Sequence, residues 1–396
     1  MNFLGRTNNC ICCILRNLRI GEVVAIIIRG TSSIIRITLV KFDERKGCLL
    51  ASRVDGSTIL INCRDVVALF LGQLPNPACL TFAYVTNFDD NTVSVIDTAT
   101  NTVVATVGVG AGPFAVAITP DGTRAYVANQ TDSTVSIIDT ITNLVTTTFP
   151  LDSPAGIAFS PNGAFAYITN ALTGTVSVIN TQTNTVTATI PVGSGINSGP
   201  IGITISPDGT TGYVTLQNDG TLSIIDLNTN TETTTIPVGT TTPLSVPIGV
   251  AVTPDGSTVY VTNSFDGTVS AINTTTNVET IISVGLAPPN SFPFGIAVTP
   301  DGSATYVVNF SDPSISVIDT ATMTEVDIIT NPSFDSPSYI AFTPDGSRAY
   351  ITNSNNPNTP STVSVLDVAT GTVIAVISVG STPFGIAIGT FCPPPN

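Results

Sequence analysis

The chain has 396 residues, no histidine and no tryptophan, and only 10% charged residues. Without imidazole there is no histidine general base, no Ser-His-Asp triad and no mixed Cys/His zinc site. Net charge is −15 but uneven: residues 1–78 hold ten of the twelve Lys/Arg against five acids, whereas residues 79–396 hold only Arg124 and Arg348 against 22 acids. A strongly acidic segment repels nucleic acid and anionic membrane, so neither is an expected partner.

Taken from the start, Arg6, Arg16, Arg19 and Glu22 interrupt any hydrophobic region, so no signal peptide is expected. Val23 to Ile28, Ser33 to Val40, Thr58 to Ile61 and Val66 to Leu71 are apolar, yet each is far short of the roughly 20 residues a membrane span requires. Ile34 to Val40 and Thr58 to Asn62 alternate, with Asp55-Gly56 as a turn before the second, which predicts a compact β unit of four or five strands. The unit also holds Cys10, Cys12, Cys13, Cys48 and Cys63. Seven cysteines cannot all pair within one chain, so these five are candidates for intermolecular crosslinks. Pro75 to Pro77 reads as a linker. The expected organisation is a small β-rich cysteine-containing domain (1–74), a linker (75–78) and a repeat domain (79–396).

From residue 79 the sequence repeats. A tyrosine within a short apolar run recurs at Tyr84, Tyr126, Tyr167, Tyr213, Tyr260, Tyr306 and Tyr350, spaced by 41 to 47 residues. A period in this range marks a repeat architecture in which no unit can bury its faces alone. Each unit holds four short runs separated by Asx- and Gly-rich turns, an antiparallel four-stranded meander. The first unit begins at its second strand, because Phe82 to Asn87 has no Pro-Phe-Gly-Ile run before it, and Pro383 to Ile388 is an unmatched first strand. Joined, they complete one unit from both chain ends. The expected fold is therefore all-β, a seven-bladed β-propeller of four-stranded antiparallel blades closed by the C-terminal strand. Aligned on Pro113 to Tyr126, Cys392 falls at the Gly122 position and Cys79 at the Asp121 position, which makes them an intramolecular disulfide candidate.

The aspartates of the Pro-Asp-Gly turns and of the third-strand ends are expected to cap turns. Asp89, Asp90 and Asp132 are the better metal candidates, but no loop has the spacing of a cation site, and neither metal nor cofactor is expected. Asn87, Asn129, Asn170, Asn263, Asn309 and Asn353 are expected as turn residues, with the fourth unit departing at Leu216-Gln217-Asn218. Ser194 to Pro200, Thr240 to Pro247 and Leu286 to Phe292 lengthen three neighbouring connections on one rim, where a ligand surface could develop.

The strings Tyr84-Val85-Thr86-Asn87 and Tyr260-Val261-Thr262-Asn263, with Thr-Pro-Asp-Gly upstream and Val-Ile-Asp-Thr downstream, resemble the YVTN-type β-propeller repeat. Residues Arg36 to Lys41 and Ser57 to Phe70 faintly resemble the cysteine-rich spore coat and exosporium assembly proteins of bacilli. That second likeness implies crosslinked self-assembly and deposition on a spore without export. The resulting expectation is a non-enzymatic structural or interaction protein of a spore surface, or otherwise of the cell envelope. Its partners would be other coat proteins or further copies bound through the N-terminal unit. The alternatives are a propeller binding carbohydrate or another small ligand, and a propeller lactonase using a channel metal. Glu232, Glu279 and Glu325 lie on outer strands, away from the channel such a metal would occupy.

Overall fold

The computed structural model describes residues 79–240, 245–288, 290–354 and 361–391, and the backbone of five strands before them. Those strands, Val23–Ile28, Ile34–Asp43, Cys48–Ser52, Thr58–Asn62 and Val66–Phe70, form one antiparallel sheet in which the last pairs with the first. Cys10, Cys12, Cys13, Cys63 and the linker at 75–78 lie outside the described residues; Cys48 opens a strand. The chain divides into two compact units, Met1–Ala78 with Cys392–Asn396, and Cys79–Phe391.

The second unit consists of seven four-stranded sheets. Blade 1 is completed as the termini suggested: its inner strand is Pro383–Phe391, hydrogen-bonded to Leu80–Asn87. The inner strands of blades 2 to 7 begin at Pro113, Pro154, Pro200, Pro247, Pro293 and Pro337. Inner strands touch in cyclic order, blade 1 against blade 2 included, so the ring is closed.

The Tyr-Val-Thr-Asn pattern of the second strand divides its work between blades. The tyrosine rings are buried in the core, and three of the phenols bond the neighbouring blade: Tyr84 to Asn143 Oδ1 at 3.1 Å, Tyr126 to Asn184 Oδ1 at 2.6 Å and Tyr350 to Asn101 Oδ1 at 2.6 Å. Those asparagines hold positive φ in the turn before the outer strand, where a short polar side chain tolerates the left-handed conformation. Thr86, Thr169, Thr215, Thr262 and Thr352 each donate to a carbonyl oxygen on the next blade's inner strand. That close approach explains the inner-strand glycines: a Cβ at Gly249 would stand 2.4 Å from the oxygen of Phe294.

The asparagines that end the second strands are not turn residues, contrary to the sequence expectation. They are buried strand positions whose amide nitrogens bond two hydroxyls of the third strand, as Asn263 does with Thr268 at 3.1 Å and Ser270 at 2.8 Å. In blade 4, Leu216 takes this place and the hydroxyl of Thr221 is left without a partner. The Pro-Asp-Gly aspartates do cap turns: Asp255 accepts from the hydroxyl of Thr253 at 2.6 Å and from the N–H and hydroxyl of Ser257.

Candidate functional site

The centre of the ring is aromatic. Phe114 (blade 2), Phe294 (blade 6), Tyr339 (blade 7) and Phe384 (blade 1) stand at the beginnings of their inner strands. Ring centroids are 4.7 Å apart for Phe114 and Phe384, 5.5 Å for Phe294 and Tyr339, and 5.6 Å for Tyr339 and Phe384. Two contacts skip a blade: Phe294 with Phe384 at 5.7 Å, and Phe114 with Tyr339 at 6.4 Å. Blades that are not neighbours meet only across the axis, so these rings lie in the channel.

Two further rings fix which end they occupy. Phe88 and Phe310 follow the second strands of blades 1 and 6 and touch Phe384 at 6.5 Å and Phe294 at 6.2 Å. Their N–H groups bond the carbonyls of Thr382 and Phe292, in the segments leading into those blades. The cluster thus lies at the end where connections enter the blades. Phe310 is 37% exposed and the four central rings are only partly buried, so aromatic surface faces solvent at this mouth. Interfacial rings of this kind are a common lining for sites that take small molecules.

Tyr339 breaks the repeat. Gly156, Gly202, Gly249, Gly295, Gly385 and Ala115 occupy its position on the other six inner strands. The neighbouring Ser338 bonds Thr352 Oγ1 at 3.0 Å and also contacts the carbonyl of Pro383, anchoring this strand between blades 7 and 1. Burial pushes the Tyr339 phenol above its ordinary pKa, which keeps it a protonated donor.

Each aspartate between the second and third strands holds the connection that enters its blade. Asp132 accepts from the N–H of Ala111 at 2.6 Å, Asp219 from Ser194 at 2.8 Å, Asp312 from Leu286 at 2.7 Å and Asp90 from Ser381 at 2.8 Å. Asp89 accepts from the hydroxyl of Thr382 at 2.5 Å. Asp89, Asp90 and Asp132, the metal candidates named from the sequence, each therefore commit one carboxylate oxygen to these connections. Glu232, Glu279 and Glu325 accept from Gly193, Gly239 and Gly285 in the three long connections, at 2.9, 3.0 and 3.0 Å. Among the described residues no three His, Cys, Asp or Glu side chains stand close enough to hold a metal ion, so the donor set does not fit a channel metal.

The opposite face carries the Pro-Asp-Gly turns and the two cations of residues 79–391. Arg124 bonds the carbonyl of Thr181 at 2.5 Å, and Arg348 that of Thr98 at 2.7 Å. Arg348, Asp345, Thr81 and Thr98 line a peripheral cleft of about 330 Å³ between blades 7 and 1. Cys79 is disulfide-bonded; Cys392, proposed from the sequence as its partner, lies outside the described residues. Among the described residues no helix is long and apolar enough to cross a membrane.

A protein-family model described as "Lactonase, 7-bladed beta-propeller" matches residues 81–230 and 143–285. No curated protein matches the chain. Among solved structures, hydrazine synthase of Kuenenia stuttgartiensis is 20% identical with a TM-score of 0.60, covering 72% of this chain and 96% of that one. The dihydro-heme d1 dehydrogenase NirN is 15% identical with a TM-score of 0.58, covering 80% and 76%. A functionally unknown protein from Desulfotomaculum acetoxidans is 21% identical with a TM-score of 0.62, covering 78% and 98%. At such identities the likeness to these structures is one of fold.

The family match corrects the expectation of a non-enzymatic structural protein built into a spore coat or exosporium by disulfide assembly. That expectation rested on the N-terminal cysteines and on the likeness of that unit to spore coat proteins, with the lack of axial carboxylates taken as an argument against catalysis. It gave no weight to the non-repeating aromatic residues of the inner strands.

Proposed function

Because the chain belongs to the seven-bladed β-propeller lactonase family, we propose that it hydrolyses a cyclic ester, with the substrate held at the aromatic mouth of the axis. The observation that supports this placement is the solvent-facing cluster of Phe114, Phe294, Tyr339 and Phe384, drawn from four blades across the channel. A lactone ring laid on these faces buries its apolar edge while its carbonyl stays free to accept a hydrogen bond. The three long connections enter blades 4 to 6 on the same face, where Asp219, Glu232, Glu279 and Asp312 hold Ser194, Gly193, Gly239 and Leu286. Opening the ring with water releases a hydroxy acid, whose new carboxylate meets a face bearing Asp89, Asp90, Asp132, Asp219, Asp266 and Asp312. Like charges disfavour the product there and favour its departure.

The test is titrimetric. Purified full-length protein is presented with a panel of five- and six-membered lactones, alicyclic, sugar-derived and benzo-fused, and acid release is followed at constant pH. Hydrolysis above the uncatalysed rate for at least one lactone, reduced by Phe384→Ala, is the expected result. No acceleration across the panel would overturn the reading.

A further inference from the structure

From the chemistry of the axial mouth, and resting on its reading as the binding site, we infer that it selects uncharged ring ligands and that Tyr339 is the hydrogen-bond donor that recognises their carbonyl oxygen. Two independent observations lead there. The first is the place and state of Tyr339. It is the one tyrosine of the eight that is not on a second strand, and it stands where five other inner strands carry glycine. Its ring packs against three others at the axis. The phenols of Tyr84, Tyr126 and Tyr350 bond asparagines of neighbouring blades, and that of Tyr260 is buried on its second strand without a partner; the Tyr339 phenol also has no hydrogen-bond partner among the described residues, and it alone of the unpartnered phenols stands at the axis. A neutral phenol surrounded by aromatic faces can give one directed hydrogen bond, and a ligand carbonyl seated on those faces is a matching acceptor.

The second observation is charge. The aspartates that pin the connections all lie on the face of this mouth, while Arg124 and Arg348, the only cations of residues 79–391, are on the opposite face and bonded to carbonyls there. No described residue at the mouth could neutralise a carboxylate or phosphate on a ligand. Such a ligand would approach against the field of at least five blades, whereas an uncharged ring would not. The same asymmetry distinguishes neutral lactone from its anionic hydrolysis product.

Binding of stable lactams separates this inference from the proposed hydrolysis, because a lactam presents the ring and carbonyl without being turned over. Calorimetric titration of the full-length protein would use neutral lactams of alicyclic, sugar-derived and benzo-fused type, each paired with a carboxylated or phosphorylated counterpart. The expected result has three parts. At least one neutral lactam binds, and Tyr339→Phe weakens it tenfold or more with an unchanged Tm. Tyr306→Phe, which alters a second-strand phenol, leaves it within twofold. The anionic counterpart binds at least tenfold more weakly at low salt, with the gap narrowing as salt is added. Equal or tighter binding of the anionic member, wild-type affinity in Tyr339→Phe, or no binding by any neutral lactam would each overturn the inference. Tyr339-dependent lactam binding without any lactone hydrolysis would instead sustain it and remove the proposed activity.

Discussion

Thr262 on blade 5 donates its hydroxyl hydrogen to the carbonyl oxygen of Phe294 on blade 6, at 2.8 Å, while accepting the N–H of Gly249 on its own blade at the same distance. One side chain thus ties two inner strands together and fixes the backbone of an axial aromatic residue. Thr262→Val keeps the shape but strands a buried N–H and a carbonyl. A loss of about 1–3 kcal/mol is expected, read as a lower denaturation midpoint in urea with an unchanged m-value. Val308 and Ala128 hold the same strand position in blades 6 and 2 without a hydroxyl, so substitutions there to other apolar residues of similar size should cost much less.

Blade 4 shows what becomes of a third strand without its asparagine: Leu216 is buried and Thr221 is left unpaired. Asn263→Leu should reproduce this in blade 5, freeing Thr268 and destabilising by about 1 kcal/mol. Adding Thr268→Val should recover most of that loss, because the unpaired hydroxyl goes with it. Chemical denaturation of the single and double variants measures the coupling.

Stability should fall on the acid side for an identifiable reason. The hydroxyls of Ser206, Thr253, Thr299 and Thr343, followed by backbone and side-chain bonds from the residue two further on, hold Asp208, Asp255, Asp301 and Asp345 below the usual carboxylate range. For a lowered folded-state pKa, the unfolded chain binds protons first. The contribution is therefore complete above the unfolded value, about 3.9, and is lost as pH falls through the lower folded value. Thermal unfolding from pH 7 to pH 2 should show a Tm that is level above about pH 5 and declines below roughly pH 4. Removing the charge with Asp301→Asn should flatten that decline relative to wild type.

At the axis, Phe384 touches four other rings. Phe384→Leu retains apolar volume and removes the flat face. A raised KM for the lactone substrate with little change in kcat is expected, along with a stability loss near 1 kcal/mol. An unchanged KM would place the substrate away from this ring.

The architecture was open to reading because its determinants repeat. Tyr84 through Tyr350 mark the blades, and Pro383 to Ile388 supplies the strand that Phe82 lacks. The same repetition hid the asparagines, since a buried residue bonded to a third strand and an exposed turn residue occupy the same place at the end of a run. The site was less legible for a geometrical reason. Phe114, Phe294 and Phe384 each look like ordinary core positions, and only closure of the ring brings blades 6 and 1, or 7 and 2, together. One signal was present: Tyr339 stands where glycine is the rule, and a departure from a repeat marks a position released from the scaffold's demands. The three long connections on one face, by contrast, were visible as insertions at Ser194, Thr240 and Leu286.

The most direct measurement is a crystal structure of the full-length protein with a bound neutral lactam. Ligand density on the faces of Phe114, Phe294 and Phe384, with the carbonyl oxygen within hydrogen-bond distance of the Tyr339 phenol, is the predicted result. Density in the cleft of Arg348 and Asp345, with the axial rings undisturbed, would contradict the account and move the site to the opposite face.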